Sequence, residues 1–88
     1  HKHIQVFGTV QGVGFRHHTE LIAKKLDIFG TVQNVEDYVD IYAQGDEEQI
    51  KSFIDKVIAG AAPASSVSDY SIEDLDVTNR YSEFKTIY

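Results

Sequence analysis

The amino-acid sequence predicts an α+β fold in which two helices cover one face of an antiparallel sheet of four to five strands. Two segments repeat apolar residues at helical spacing, and the segments around them are rich in β-branched and aromatic residues. The resulting order is β-α-β-β-α-β, with a short extra strand at the end. That order is typical of the split βαβ, or ferredoxin-like, sandwich, in which the first strand lies beside the third.

The first strand and the first helix are predicted on either side of a glycine-containing loop. β-Branched and aromatic residues over 3–10, with Ile4-Gln5-Val6-Phe7 at the centre, predict the strand. Residues 15–26 are predicted to form the helix, because five of them fall on one helical face: Phe15, Thr19, Ile22, Ala23 and Leu26.

A hairpin and a second helix are predicted next. Residues 28–34 and 38–44 form the two strands of the hairpin, and residues 35–37 form its polar turn. The helix is predicted to begin at the N-cap candidate Asp46 and to stop at Gly60. Its apolar stripe consists of Ile50, Phe53, Ile54, Val57 and Ile58. A strand over 67–76, a polar connection over 77–83 and a short strand over 84–88 complete the pattern.

Composition restricts the class of protein. With 88 residues, 42% of them hydrophobic, we expect one globular domain over residues 1–88, and we expect a monomer. The formal net charge of −6 disfavours binding to nucleic acid and to acidic membrane surfaces. The chain has no cysteine, which excludes disulfides and thiolate chemistry. We see no signal peptide or transmembrane run, and therefore expect a cytoplasmic protein.

A glycine-rich loop gives the strongest indication of chemistry. Three glycines lie within seven positions and are followed by an arginine, in the segment Gly8, Thr9, Val10, Gln11, Gly12, Val13, Gly14, Phe15 and Arg16. Because glycine lacks a Cβ, such a loop can turn its N–H groups toward one point, and the helix N-terminus adds more. The positive charge of Arg16 in the first helical turn lies near the positive end of the helix dipole. This placement is unfavourable unless an anion lies between the two. The segment predicts a site for phosphate or a similar small oxyanion.

Simpler interpretations of this loop stay open. The glycines could serve a tight strand-to-helix turn, and Arg16 could be a solvated surface residue. No Gly-Lys-Ser/Thr sequence ends the loop, so it is not a Walker loop and does not imply a nucleotide.

Asn34 is the second candidate site residue, at the end of the second strand. An asparagine at this position is commonly a turn residue. In a split βαβ sheet, however, the end of the second strand lies near the start of the first helix. A carboxamide both donates and accepts hydrogen bonds, so it can orient a water without taking its proton.

The histidines and tyrosines give weaker signals. His17 and His18 point about 100° apart on a helix, so we do not expect them to share a metal. Tyr38 and Tyr42 lie on one strand face and could stack bases, but the acidic charge makes an RNA-binding sheet a distant alternative.

Two motifs of the chain resemble those of the acylphosphatases. The first is the segment from Gly8 to Arg16, and the second is Gly30-Thr31-Val32-Gln33-Asn34. Gly45, the apolar helix after it and Pro63-Ala64-Ser65-Ser66-Val67 extend the resemblance over nearly the whole chain. It implies the fold predicted above, hydrolysis of the carboxyl–phosphate bond of acyl phosphates, and no requirement for a metal or organic cofactor.

The resemblance also implies roles for individual residues. Arg16 resembles the residue that binds the phosphoryl group, Asn34 the residue that positions the attacking water, and the loop 9–15 the phosphate cradle. Asp27, Thr31 and Tyr38 depart from the residues frequent in the family at those positions. These departures concern packing and turn geometry more than the chemistry.

These roles give a mechanistic hypothesis and leave alternatives. A carboxylate is a good leaving group, so direct attack by a water that Asn34 holds needs no positioned base, and inorganic phosphate is the second product. The alternatives are a non-catalytic module that binds a small anion, and an accessory domain that handles carbamoyl phosphate.

Overall fold

The structure is a computed structural model that describes residues 1–87, in which seven elements follow one another. They are β1 (Lys2–Thr9), α1 (Phe15–Lys25), β2 (Phe29–Val35), β3 (Tyr38–Gln44), α2 (Glu47–Ile58), β4 (Ser66–Asp74) and β5 (Phe84–Ile87). The predicted order of elements is confirmed, with bounds that shift by one or two residues. Tyr88, predicted to end the last strand, lies outside the described residues.

The sheet has the strand order β4-β1-β3-β2-β5. β1 lies between β3 and β4 and is antiparallel to both, with Ile4 opposite Ile41 on one side and Ile72 on the other. The hairpin pairs β2 with β3 from Phe29 opposite Gln44 to Val35 opposite Tyr38. The expected placement of the first strand beside the third is therefore confirmed.

The prediction of an antiparallel sheet is wrong at one edge, and the sheet is mixed. β5 pairs in parallel with β2, from Gly30 opposite Phe84 to Gln33 opposite Ile87. The reason is the path of residues 75–83, which carry the chain from one edge of the sheet to the other. β5 therefore runs opposite to β4 and in the same direction as β2.

The core lies between the helices and one face of the sheet. Alternate residues of the strands are buried together with the apolar stripes of both helices, and the members include Ile4, Phe15, Ile28, Val32, Val39, Ile41, Phe53, Val57 and Phe84. Phe53 of α2 packs edge-on against Phe84 of β5, with ring centroids 5.8 Å apart. Burial of these side chains is the main source of stability. The contact between Phe53 and Phe84 also joins α2 to the edge strand β5.

The ends of α2 follow the sequence signals. Asp46 takes the N-cap position with extended backbone angles, but its carboxylate makes no capping hydrogen bond within residues 1–87. Gly60 follows the helix with φ of 95°, in the left-handed region that glycine adopts without strain. Neither helix of the described chain is long and apolar enough to cross a bilayer.

Candidate active site

The loop between β1 and α1 is held at both ends and turns in the middle. Val10 and Phe15 are each 1% exposed and belong to the hydrophobic core. Between them, Gly12 and Gly14 are exposed and have φ of 75° and 78°, in the left-handed region. The loop therefore combines rigid apolar ends with a backbone path that most other residues adopt only with strain.

Gln11 ties this loop to the β2–β3 hairpin. Its side-chain amide donates a hydrogen bond to the backbone oxygen of Glu36 at 3.1 Å and another to that of Tyr38 at 2.9 Å. The side chain of Gln11 is thus engaged with the hairpin, which leaves its backbone N–H as the group it can offer to an anion. These two hydrogen bonds fix the loop beside the strand that carries Asn34.

The start of α1 presents free donors at the same place. The backbone oxygen of Gly14 accepts from the backbone N–H of His18 at 3.1 Å and lies 2.9 Å from the Nδ1 atom of that ring. No side chain of residues 1–87 caps the helix, and its first turn contains no acidic residue. The first N–H groups of a helix lack partners within it and carry partial positive charge, which favours an anion here.

A cavity of about 320 Å³ opens beside this helix start. Its lining combines five of the predicted site residues with four others: Val10, Gly12, Gly14, Phe15, Arg16, His17, Glu20, Lys85 and Thr86. The guanidinium of the half-buried Arg16 brings five donors and a fixed positive charge to this lining. The cavity is therefore equipped to hold an oxyanion between a cation and a set of backbone amides.

Four of the predicted site residues do not belong to the described lining of this cavity: Thr9, Gln11, Val13 and Asn34. Thr9 ends β1, where it pairs with Ser66 of β4. Val13 is half-buried and packs on the core, while Gln11 contacts the hairpin as described. These positions contribute to the shape of the loop, and their side chains do not line the cavity within residues 1–87.

Asn34 lies one residue before the end of β2, opposite Val39 of β3. Strand side chains alternate, so Asn34 shares the helix-facing side of the sheet with the buried Val32. α1 packs against β2, as the split βαβ arrangement predicts. The Oδ1 atom of Asn34 is buried and accepts no hydrogen bond from residues 1–87. An unsatisfied buried carbonyl oxygen costs about 1–3 kcal/mol, so it requires an explanation in terms of a water or a function.

Four cavity residues were missed from the sequence: His17, Glu20, Lys85 and Thr86. Glu20 could have been found, because it lies four positions after Arg16 and thus on the same helix face. Its Oε1 atom accepts hydrogen bonds from Thr86, at 3.2 Å from the backbone N–H and 3.4 Å from the hydroxyl. Lys85 and Thr86 had no local signal, since they reach the cavity through the parallel pairing of β5 with β2.

The guanidinium of Arg16 and the nearby backbone N–H groups are donors that suit an anion. Among residues 1–87 there is no group of three or more histidine, aspartate or glutamate side chains placed to hold one. His17 and His18 lie with their rings nearly perpendicular and 5.8 Å apart. Beside the guanidinium of Arg16, the described lining of the cavity contains one carboxylate, that of Glu20, and one imidazole, that of His17.

Comparison with known proteins finds relatives that match nearly the whole chain. A family model described as acylphosphatase matches residues 2–86. An acylphosphatase of Staphylococcus haemolyticus (strain JCSC1435) is 56% identical over 86 residues, which cover 98% of this chain and 97% of that protein.

Two solved structures share the fold and part of the sequence. The crystal structure of an acylphosphatase from Bacillus subtilis matches with a TM-score of 0.93 at 36% identity, covering 99% of this chain and 97% of that one. The crystal structure of full-length HypF in its phosphate- and nucleotide-bound form matches with a TM-score of 0.91 at 31% identity, covering 99% of this chain and 11% of that one. The chain therefore belongs to the acylphosphatase family, the enzymes that hydrolyse acyl phosphates to a carboxylate and inorganic phosphate.

Proposed function

We propose that this enzyme holds the phosphoryl group of an acyl phosphate between Arg16 and the backbone N–H groups of the loop 9–15, while a water bound by Asn34 attacks phosphorus. The single observation that carries this proposal is the cavity in which Arg16, Gly12 and Gly14 meet the uncapped start of α1. A guanidinium and several N–H groups are the donors that a phosphoryl dianion requires. They also face the equatorial oxygens on which charge is stabilised in phosphoryl transfer.

The reaction is a single displacement. The oxygen of the water forms a bond to phosphorus as the bond from phosphorus to the acyl oxygen breaks, and that electron pair leaves with the carboxylate. Both protons of the water stay on the phosphate at first, so an acyl phosphate dianion and water give a carboxylate and dihydrogen phosphate. A carboxylate is a stable leaving group and the transition state is loose, so neither a general acid nor a strong base is needed.

Asn34 is the proposed water-positioning residue. Its buried Oδ1 atom, which accepts no hydrogen bond within residues 1–87, supports this role, because a carbonyl oxygen can accept a hydrogen bond from the attacking water. Its place near the end of β2 puts it at the end of the sheet to which Gln11 ties the loop. An amide does not take the proton, which suits a reaction that depends on alignment more than on base strength.

We further propose that the enzyme works as a monomeric single domain over residues 1–88 in the cytoplasm and needs no metal or organic cofactor. The absence of cysteine supports a reducing compartment, and the net charge of −6 opposes association with nucleic acid or an acidic membrane. Sedimentation velocity measures the oligomeric state, and cell fractionation measures the location.

The decisive experiment follows the hydrolysis of benzoyl phosphate by its ultraviolet absorbance, with inorganic phosphate as a competitor, in parallel assays with and without EDTA. We expect turnover that phosphate inhibits competitively and that EDTA leaves unchanged. Phosphate binding without turnover would instead favour the non-catalytic anion-binding module. A phosphorylated side chain trapped during a single turnover would exclude direct attack by water.

A further inference from the structure

The imidazole of His17 is a cavity group that the proposed mechanism does not use. His17 lies in the first turn of α1, directly after Arg16, and belongs to the described lining of the cavity. The residue is exposed, and its ring makes no hydrogen bond within residues 1–87. Both ring nitrogens are therefore available to a ligand that enters the cavity.

The neighbouring His18 has a different environment. Its Nδ1 atom lies 2.9 Å from the backbone oxygen of Gly14. Because a carbonyl oxygen only accepts, this ring nitrogen is the donor, and the ring is committed to the loop. The two rings are nearly perpendicular, with centroids 5.8 Å apart, and the described lining includes His17 but not His18. Of the two histidines, His17 is therefore the one that borders the proposed anion site.

Charged and titratable groups of both signs lie around His17. They are Arg16, His18 and Glu20 on α1 and Lys85 on β5. The carboxylate of Glu20 lies 3.9 Å from the ammonium of Lys24. The ammonium of Lys85 lies 3.8 Å from the carboxylate of Glu83. The ring of His17 forms no ion pair with a carboxylate of residues 1–87, so an anion bound in the cavity would supply the partner that the described chain does not.

A bound dianion and a proton on His17 favour each other. The dianion attracts a protonated imidazole and has no comparable attraction for a neutral one, so each binding event strengthens the other. Histidine is the side chain whose charge ordinarily changes between about pH 5 and about pH 8. A protonated ring also donates a charge-assisted hydrogen bond, which is about twice as strong as a neutral one.

We propose that His17 is a second cationic contact for the bound phosphoryl group, so that the enzyme holds its ligand more tightly in mildly acidic than in mildly alkaline solution. The inference rests on the proposed placement of the phosphoryl group at Arg16. The contribution of His17 is present where the ring is protonated and is lost as the pH rises and the ring loses its proton. Arg16 keeps its charge throughout, so it supplies the part of the affinity that does not vary with pH.

The test measures Kd for sulfate by calorimetry at about pH 6 and about pH 8. Sulfate is a tetrahedral dianion at both values, so a change in its affinity comes from the protein. The chains compared are the wild type, His17→Gln, His17→Lys and the control His3→Gln. Glutamine keeps a donor that does not titrate, and lysine keeps a positive charge at both values. His3 stacks on Tyr42 outside the described cavity lining, so the control removes a histidine elsewhere.

We expect Kd of the wild-type chain and of His3→Gln to be about fivefold higher at the alkaline value. Kd of His17→Gln should change less than about twofold, and His17→Lys should bind tightly at both values. An equal pH dependence in His17→Gln and the wild type would overturn the proposal, because another group, such as Glu20 or His18, would then be responsible. A wild-type Kd that does not vary with pH would overturn it as well.

The binding measurement keeps this inference separate from the proposed function. If the wild-type chain bound sulfate but did not hydrolyse benzoyl phosphate, the proposed reaction would be rejected, while the Kd values would still decide the role of His17. Sulfate affinity that stayed unchanged in Arg16→Ala would instead reject the placement of the anion at Arg16, and this inference with it.

Discussion

The side-chain amide of Gln11 donates a hydrogen bond to the backbone oxygen of Tyr38 at 2.9 Å and so connects the loop between β1 and α1 to the β2–β3 hairpin. A second hydrogen bond, to the oxygen of Glu36 at 3.1 Å, strengthens this connection. In the proposed mechanism the loop holds the phosphoryl group and the hairpin carries Asn34. The side chain of Gln11 therefore helps to set the position of the loop relative to Asn34, together with the buried ends of the loop at Val10 and Phe15.

Replacing Gln11 tests this connection. We expect Gln11→Ala to lower the free energy of unfolding by about 1–2 kcal/mol, because the two backbone oxygens lose their donor. We also expect KM to rise and kcat to fall several-fold, since the loop and Asn34 lose their fixed separation. Gln11→Glu keeps the size of the side chain, but an ionised carboxylate cannot donate these two hydrogen bonds. We therefore expect it to show the same defects as Gln11→Ala. Normal kinetics in both variants would contradict the proposed link.

Arg16 is predicted to dominate phosphate binding. We expect Arg16→Ala to lower kcat/KM by about a thousandfold or more, because the charge and the donor fork disappear together. Arg16→Lys keeps the charge but not the fork, and its activity should lie between those of Arg16→Ala and the wild-type chain. Inorganic phosphate should raise the melting temperature of the wild-type chain and leave that of Arg16→Ala unchanged. Phosphate stabilisation that persists in Arg16→Ala would contradict the assignment.

Asn34 is predicted to act on turnover and not on binding. We expect Asn34→Ala to lower kcat by about a hundredfold, while the inhibition constant for inorganic phosphate changes less than twofold. The protein should stay folded, since the substitution removes a buried oxygen that has no partner within residues 1–87. A loss of phosphate affinity equal to the loss of kcat would show that Asn34 acts in binding instead.

Two glycines are predicted to respond differently to the same substitution. At Gly30, where φ is 149°, an added Cβ would lie 1.7 Å from the backbone oxygen of Tyr42. We expect Gly30→Ala to destabilise the chain by about 3 kcal/mol or more, because the hairpin must move apart. At Gly12, where φ is 75°, an added Cβ meets nothing within 4 Å. Gly12→Ala should cost only backbone strain of about 1–2 kcal/mol. Urea unfolding measures both, and equal losses would contradict the contrast.

The raised pKa of the Tyr42 phenol predicts that the protein loses stability in alkaline solution. Burial, followed by the charges of Asp40 and Glu73, raises its pKa above the ordinary value of 10.0. Below pH 10 the phenol is protonated in both states and its contribution to stability is complete. Above pH 10 the unfolded chain ionises first, so this contribution is lost as the pH rises through the raised pKa of the folded state.

The measurement is urea unfolding at intervals from about pH 8 to about pH 11. We expect the midpoint to fall above about pH 10 in the wild-type chain and to fall less in Tyr42→Phe. Tyr81, whose pKa burial also raises, should account for part of the decline that remains. An identical decline in the two proteins would show that Tyr42 does not contribute.

The sequence predicted those elements whose signals are local. The alternation of Val39, Ile41 and Ala43 placed β3 with one buried face, because side chains of a strand alternate. The loop glycines and Arg16 predicted an anion site, and the structure brings Gly12, Gly14 and Arg16 to one cavity; glycine conformation and the helix dipole are signals that act over a few residues.

Features that depend on distant parts of the chain were not predicted. The parallel pairing of β5 depends on how residues 75–83 cross the end of the sheet, and nothing within β5 encodes that path. For the same reason the contact between Glu20 and Thr86 could not be predicted. The hydrogen bonds of Gln11 were missed because a glutamine in a loop has no preferred partner in sequence.

The contact between Glu20 and Thr86 joins residues that lie 66 positions apart, and it completes one wall of the cavity. Contacts of such long sequence separation form late and slowly during folding. A chain that has closed its hairpin and packed α1, but has not yet docked β5, would lack this wall. On the proposed function, a phosphate analogue bound in this cavity would favour chains in which β5 is docked over chains in which it has come away from β2.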